Sequence, residues 1–316
     1  MATDNSAESY WLCPLYSFDC DSESIDFIDG IQIKRIPPTF AEYLLEQSRS
    51  HFFRTEPHET EWVVSLPYRT NAQKVSRAKI FANLFKEENI ARDSLTDLIT
   101  ALRVFHGGRV IAGPLMLAEI HDSKTYFGSL TSWTSVSNFW FFLEEPIYKL
   151  RKSEFSEVNS LLQDIRKWRE AKVLYAIDTA LRRFHSSYHG DIEDRIIDQM
   201  IAFESLYLGS PQELTYKLAS RAAFLLRKRK DHRIVVFNNI KKAYDYRSRI
   251  VHGDNPPSRD ELRAIVPKTE DYLRQSIRKI LLLLSKKHSL KHLIQGKQGK
   301  LAELDENVLR NGTFLT

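Results

Sequence analysis

The sequence predicts an α+β protein in which a mixed N-terminal region precedes an all-helical bundle. Short apolar runs and turn signals alternate with helical stretches over residues 1–150, whereas a helical period of 3.6 residues continues with few breaks from Phe155 to Lys287. The length of 316 residues is also typical of two domains. We therefore expect an α+β region of unknown role at 1–150 and a helical bundle at 151–316.

In the N-terminal region, four apolar or alternating runs are expected to be strands and two stretches are expected to be helices. Asp29-Gly30 predicts a hairpin turn. Ser94 and Asp97 have the spacing of a helix-capping signature. The expected strands are Trp11–Phe18, Ile25–Ile33, Trp62–Leu66 and Tyr126–Trp133, and the expected helices are Thr39–Gln47 and Ser94–Phe105.

Six helices are expected in the second region. They are separated by breaks rich in glycine and proline, which are typical of the turns between antiparallel helices and favour a bundle. The expected helices are Phe155–Glu170, Lys172–Ser187, Asp191–Leu208, Glu213–Lys228, Val235–Val251 and Arg259–Lys287.

Composition excludes several classes of protein. With 42% hydrophobic and 28% charged residues, the chain is neither disordered nor of low complexity. We expect no membrane span, because no apolar run approaches 18 residues, and no secretory signal, because the first ten residues are polar and acidic. Two cysteines, Cys13 and Cys20, are too few for a disulfide scaffold and fit a reducing cytoplasm.

Charge is distributed unevenly along the chain. Residues 211–300 contain 22 Lys and Arg against 8 Asp and Glu, a balance of +14, so the other 226 residues sum to −9 within a net charge of +5. A basic half joined to an acidic half is typical of proteins that bind nucleic acid, although solvated helix faces explain such a balance equally well.

Three helices of the predicted bundle carry a charged residue on an apolar stripe: Glu204, Arg221 and Arg247. A buried charge is costly unless it is paired and hydrogen-bonded, so these residues should either meet one another or line a cleft. We expect a buried ion pair between Glu204 and Arg221, beside Arg247. Five residues after Arg247, His252 ends the same helix, and Gly253 is well placed as its C-cap.

The segment from Tyr244 to Asp254, YDYRSRIVHGD, resembles the Arg-x4–6-His motif of the HEPN superfamily, and more narrowly the Apea-like HEPN group. The upstream runs around Glu204 and Arg221 are similar to the preceding helices of that group, and the resemblance covers about residues 190–290. One departure concerns the position after the arginine, which is Ser248 here, whereas many catalytic members have Asn, Asp or His.

The resemblance implies an endoribonuclease that needs no metal ion and no cofactor. Arg247 would stabilise charge on the phosphorane, His252 would exchange a proton, and Ser248 completes the expected catalytic set. Glu204, Arg221 and Tyr244 are expected to support that site. The basic residues expected to guide the RNA backbone are Arg227, Lys228, Arg229, Lys230, Lys241, Lys242 and Arg249.

Members of the superfamily generally build this site across a symmetric dimer, so we expect a homodimer. The family association suggests antiviral defence or toxin-like RNA cleavage, with the N-terminal region sensing a trigger or selecting substrate. We expect a cytoplasmic protein, and whether a separately encoded regulator exists stays open. Two other classes of function stay open: a non-catalytic module for RNA binding or dimerisation, and a sensor of nucleotides or small molecules.

Other patterns carry weaker predictions. His185 and His189, like His288 and His292, have a spacing of four that suits two ligands of one metal ion, but neither pair has an obvious third ligand nearby in sequence. We therefore predict no metal site. No glycine-rich phosphate loop of either the Walker or the dinucleotide type occurs in the sequence.

Overall fold

The structure is a computed structural model. It describes residues 8–49, 61–68, 77–121, 124–127, 147–170, 175–207 and 214–286. The chain divides into two compact units, Met1–Leu162 and Gln163–Thr316.

Unit 1 contains nine described strands, and its helices lie between and after these strands along the chain. The strands are β1 (Glu8–Tyr16), β2 (Phe18–Cys20), β3 (Ser24–Asp26), β4 (Gln32–Arg35), β5 (Trp62–Pro67), β6 (Ile111–Ala112), β7 (Met116–His121), β8 (Lys124–Phe127) and β9 (Tyr148–Leu150). The helices that begin in this unit are α1 (Pro38–Arg49), α2 (Arg77–Phe105) and α3 (Phe155–Glu170).

Seven of these strands form one antiparallel sheet in the order β3-β4-β5-β1-β7-β8, with β6 also paired to β1. The other two, β2 and β9, form a small parallel pair. Consecutive side chains of the central strands are buried, such as Trp11 to Cys13 on β1 and Trp62 to Val64 on β5. Because successive side chains of a strand point to opposite faces, both faces of the sheet centre are covered.

The structure confirms the predicted hairpin at Asp29-Gly30, where both residues adopt the left-handed conformation (φ 59° and 76°) between antiparallel β3 and β4. It corrects the second helix. We expected a start at Ser94, but α2 begins at Arg77 and continues through this position, so Ser94 and Asp97 do not cap it. Of the strand expected at Tyr126–Trp133, only the first two residues are described, in β8.

Unit 2 is helical. Beyond α3, its described helices are α4 (Tyr175–Ser186), α5 (Ile192–Tyr207), α6 (Leu214–Leu226), α7 (Lys230–His252) and α8 (Arg259–Lys286). The helical period therefore predicted every one of these helices, and the largest error is at α7, which begins five residues before the expected Val235. The α+β fold class is confirmed.

Polar contacts fix α8 against its neighbours. The Tyr207 hydroxyl on α5 donates to Ser276 Oγ at 2.7 Å, and the Asn239 amide on α7 donates to the Tyr272 hydroxyl at 2.9 Å. Ser258 and Glu261 form a capping box at the start of α8, with Glu261 accepting from the Ser258 backbone at 2.9 Å. No helix in the described part of the chain is long and apolar enough to cross a membrane.

Candidate site around Arg247 and His252

Helix α7 buries a different face from the one that the sequence predicted. Its buried side chains are Val236, Ile240, Ala243 and Tyr246, whereas the expected stripe contained Phe237, Ile240, Tyr244, Arg247 and Val251. Tyr246 is the side chain that reaches inward, and its hydroxyl donates to Glu261 at 2.9 Å. The rotation places Arg247 and Tyr244 at the flank of the buried face and leaves Val251 half exposed.

The charged partner of Arg247 is Glu204 on α5. An Arg247 Nη2 to Glu204 Oε1 distance of 3.9 Å makes this an ion pair that is too long for a hydrogen bond. The Arg247 guanidinium also lies 5.8 Å from the centre of the Tyr244 ring. Burial and the nearby Glu204 carboxylate raise the pKa of Tyr244.

The Arg247 guanidinium is incompletely satisfied. Its Nε is buried and has no hydrogen-bond partner among the described residues, while about a quarter of the side chain, 23%, reaches solvent. A buried donor without an acceptor costs free energy, and an anion from solvent does not reach this buried Nε. The exposed part of the guanidinium is therefore the part that a phosphate oxygen can reach.

The expected ion pair between Glu204 and Arg221 is wrong for the described structure. Arg221 is buried on α6 as predicted, but its guanidinium donates to the backbone carbonyl of Tyr207. That carbonyl belongs to the last turn of α5, where helix carbonyls lack partners within the helix. A cation there also meets the negative end of the helix dipole, which explains why Arg221 serves α5 and leaves Glu204 to Arg247.

His252 is exposed in the last turn of α7. Gly253 follows with φ 74°, and the amides of Gly253 and Asp254 donate to Ile250 and Arg249 at 3.3 and 3.1 Å. These bonds form a Schellman motif, which confirms Gly253 as the predicted C-cap. On an ideal helix, His252 is about 140° around the axis from Arg247 and about 7.5 Å further along it. Ser248 lies between them, half-buried.

The structure divides the basic residues into two groups. Arg227 and Arg249 serve the fold: Arg227 donates to Gln275 Oε1 at 2.7 Å, and Arg249 donates to the Asn255 carbonyl at 2.8 Å. Lys242 Nζ lies 5.2 Å from the centre of the Tyr246 ring, and the neighbouring Tyr246 raises the pKa of Lys242. Arg229 lies 3.4 Å from Asp231. The side chains of Lys242 and Arg229 are exposed, as are those of Lys228, Lys230 and Lys241, for which the described residues provide no ion pair or ring contact.

An apolar stripe on α7 that was expected to face the core is only partly buried. Phe237, Tyr244 and Val251 follow one another at intervals of seven residues, which places them on one side of the helix. On α6, the exposed Tyr216 ring packs edge-on against Phe237 with centroids 5.6 Å apart. The heptad spacing was visible in the sequence, but it was read as the core-facing stripe.

In the described part of the chain, no group of three or more His, Cys, Asp or Glu side chains is arranged to hold a metal ion. Comparison with protein-family models, with curated proteins and with solved structures finds no match for this chain.

Proposed function

We propose that the chain is a metal-independent endoribonuclease that acts through Arg247 and His252. The observation that carries the proposal is the Arg247 guanidinium, which lies beside Glu204 and Tyr244 with 23% of its side chain exposed and a carboxylate partner too distant for a hydrogen bond. The resemblance of the Tyr244–Asp254 segment to the HEPN motif supports the same residues. The fork of arginine donors suits two oxygens of one phosphate.

RNA cleavage needs one group that stabilises negative charge on the phosphate and one or two groups that transfer protons. The 2′-hydroxyl of a nucleotide loses its proton and attacks the adjacent phosphorus, and the bond to the 5′ oxygen of the next nucleotide breaks as that oxygen gains a proton. The products are a 2′,3′-cyclic phosphate and a 5′-hydroxyl. Arg247 neutralises the non-bridging oxygens of the phosphorane, and His252 accepts or donates the proton.

A homodimer completes this arrangement. Because Arg247 and His252 diverge by about 140° on one helix, one protomer aims the two side chains in different directions. A two-fold axis along the outer face of α7 would bring His252 of one protomer towards Arg247 of its partner. The stripe of half-buried Phe237 and Tyr244 with exposed Val251 offers an apolar surface for that contact.

Exposed lysines would supply the approach for the RNA backbone. Lys228, Lys230 and Lys241 carry positive charge on the same helical unit, and neutralising phosphates with such side chains gives binding that weakens as salt increases. By the HEPN resemblance, the activity would serve defence or a toxin-like role in the cytoplasm, with the N-terminal region or a separate regulator controlling it.

The test is incubation of the purified full-length protein with total RNA in the presence of EDTA. We expect cleavage by the wild type, with 2′,3′-cyclic phosphate ends, and loss of at least about 100-fold in Arg247→Ala and His252→Ala. His232→Ala changes an exposed histidine of the same helix and is the matched control. Activity that needs magnesium, or that persists unchanged in His252→Ala, would contradict the proposal.

A second candidate is a non-catalytic module for RNA binding or dimerisation. It is favoured by the Glu204 carboxylate, which partly neutralises Arg247 in this structure. A wild type that binds RNA but leaves it intact would establish this alternative. Mixing Arg247→Ala and His252→Ala protomers separates the two: a shared catalytic site predicts that each heterodimer keeps one intact site and recovers activity that neither variant has alone.

A further inference from the structure

Two histidines meet at the end of α4, away from the residues that the proposed cleavage uses. His185 lies in the last turn of α4 and His189 in the turn that follows. Their Nε2 atoms are 3.2 Å apart and share a hydrogen bond that a bound metal ion would replace, their ring centroids are 5.0 Å apart, and the ring planes are inclined by 42°. Both side chains are half-buried, so solvent reaches the pair.

The turn that joins the two histidines is held firmly. Ser187 and Tyr188 are fully buried; the Ser187 hydroxyl donates to the Phe184 carbonyl, and the Tyr188 hydroxyl donates to Glu270, each at 2.8 Å. Gly190 follows so closely against α5 that a Cβ there would lie 2.5 Å from Asp194 Cβ. The two rings are therefore brought together before any ligand arrives, which lowers the entropic cost of binding one.

Nearby positive charges are neutralised. Arg182 donates to Asp178 at 3.0 Å, and Arg183 donates to Asp198 at 2.8 Å. Because each of these arginines is paired with a carboxylate, we expect them to repel an approaching metal ion only weakly.

We propose that His185 and His189 chelate one divalent transition-metal ion, with Zn²⁺ as the reference ion and water in the remaining positions. With metal–nitrogen bonds of about 2.05 Å, two nitrogens separated by 3.2 Å subtend an angle of about 100° at the metal, close to tetrahedral. Neutral imidazole suits zinc, copper and nickel, whereas magnesium and calcium require oxygen ligands. In the described part of the chain, no third side chain of the usual ligand types joins the pair.

This site goes beyond the proposed ribonuclease, and its failure would leave that proposal untouched. Water in the remaining positions makes it an open site, of the kind that binds a further ligand or exchanges its ion readily. Since both imidazoles must be unprotonated to bind, affinity should fall as the pH is lowered through the range in which histidine titrates.

The experiment is titration of the full-length protein with Zn²⁺ by calorimetry. All variants carry His288→Ala and His292→Ala, because that pair has the same sequence spacing. We expect one zinc per chain, at least about tenfold weaker binding in His185→Ala and in His189→Ala because each loses the chelate, and no change in the His232→Ala control. Zinc should also raise the melting temperature of the parent, which is the protein with only His288→Ala and His292→Ala. It should not raise that of the protein that also carries both His185→Ala and His189→Ala.

Copper provides a readout that does not depend on the folding of a variant. The electron paramagnetic resonance spectrum of the Cu²⁺-loaded parent should show coupling to two imidazole nitrogens. Coupling to one or none, or zinc affinity that is equal in the parent and in the His185→Ala and His189→Ala variants, would overturn the proposal.

Discussion

Two described clusters of one glutamate, one arginine and one tyrosine lie in the helical unit. They differ in the length of the ion pair and in how far its side chains are buried. Glu270 accepts hydrogen bonds from Arg195 and Tyr188, each at 2.8 Å, and both charged side chains are nearly buried, at 11% and 12% exposure. Glu204 lies 3.9 Å from Arg247, and both of these side chains are about twice as exposed.

The difference separates a structural ion pair from an arginine that is able to act on a ligand. A short pair with most of its surface buried has no room for another partner, and removing one member leaves a buried charge. A long pair at the surface holds its arginine in place at little cost and releases it readily to a stronger anion. The predictions that follow test this contrast.

The largest loss of stability should come from removing the carboxylate of the buried Glu270–Arg195 ion pair. Glu270→Ala leaves Arg195 buried without its carboxylate, so the free energy of unfolding should fall by about 3 kcal/mol or more. Urea unfolding followed by circular dichroism measures it. Glu270→Gln keeps part of the hydrogen bonding and should lose less. A loss below about 1 kcal/mol in Glu270→Ala would show that the cluster is not the buried ion pair described here.

A smaller loss is expected from Arg221→Met. The substitution keeps the packing of the buried side chain but removes the donor to the Tyr207 carbonyl, so the free energy of unfolding should fall by about 1–3 kcal/mol. Arg221→Lys keeps a cation near the end of α5 and serves as the control. If Arg221→Met and Glu204→Gln behaved as one coupled pair in a double-mutant cycle, the ion pair first expected from the sequence would be correct after all.

Glu204→Gln should change stability by less than about 1 kcal/mol, because its ion pair is long and partly screened by solvent. Its effect on RNA cleavage should be larger, about tenfold, since the carboxylate orients Arg247. Single-turnover cleavage and urea unfolding of the same preparation give the two numbers. Equal RNA cleavage in Glu204→Gln and wild type would remove Glu204 from the site.

The smallest effect should be a pH-dependent one at the exposed start of α8. Hydrogen bonds from the Ser258 backbone, the Tyr246 hydroxyl and the Ser258 hydroxyl hold the pKa of Glu261 below its ordinary value. Its contribution to stability is therefore present above that ordinary value and disappears as the pH falls through the lowered one. Glu261→Gln should be slightly less stable than the wild type at pH 7, and the difference should shrink as the pH is lowered below the ordinary pKa of glutamate, as thermal unfolding would show.

The sequence predicted the helices of unit 2 well because their apolar period is regular and their ends carry strong signals. Gly253 ends α7 as expected, and α3 has the predicted bounds of Phe155 and Glu170. The buried face of α7 was not predictable in the same way. Phe237 and Tyr246 are both aromatic and lie on different faces, and the sequence spacing does not reveal that Tyr246 is the one that is buried and contacts Glu261.

The candidate site was predicted in part. Arg247 and Glu204 were expected to lie together, and they do. Sequence spacing does not reveal that Arg221 donates instead to a carbonyl in the last turn of α5. The spacing of His185 and His189 was equally visible. What the sequence could not provide was the tight turn through buried Tyr188 that brings their nitrogens to 3.2 Å.

The central claim is that Arg247 works on a ligand while Arg195 works on the fold, and a paired measurement on Arg247→Ala and Arg195→Ala tests it most directly. RNA cleavage in EDTA and urea unfolding are measured for both. We expect Arg247→Ala to lose cleavage while its free energy of unfolding stays within about 1 kcal/mol of wild type, and Arg195→Ala to lose about 3 kcal/mol of stability. An Arg247→Ala protein that cleaves RNA normally, or that unfolds as readily as Arg195→Ala, would contradict the account.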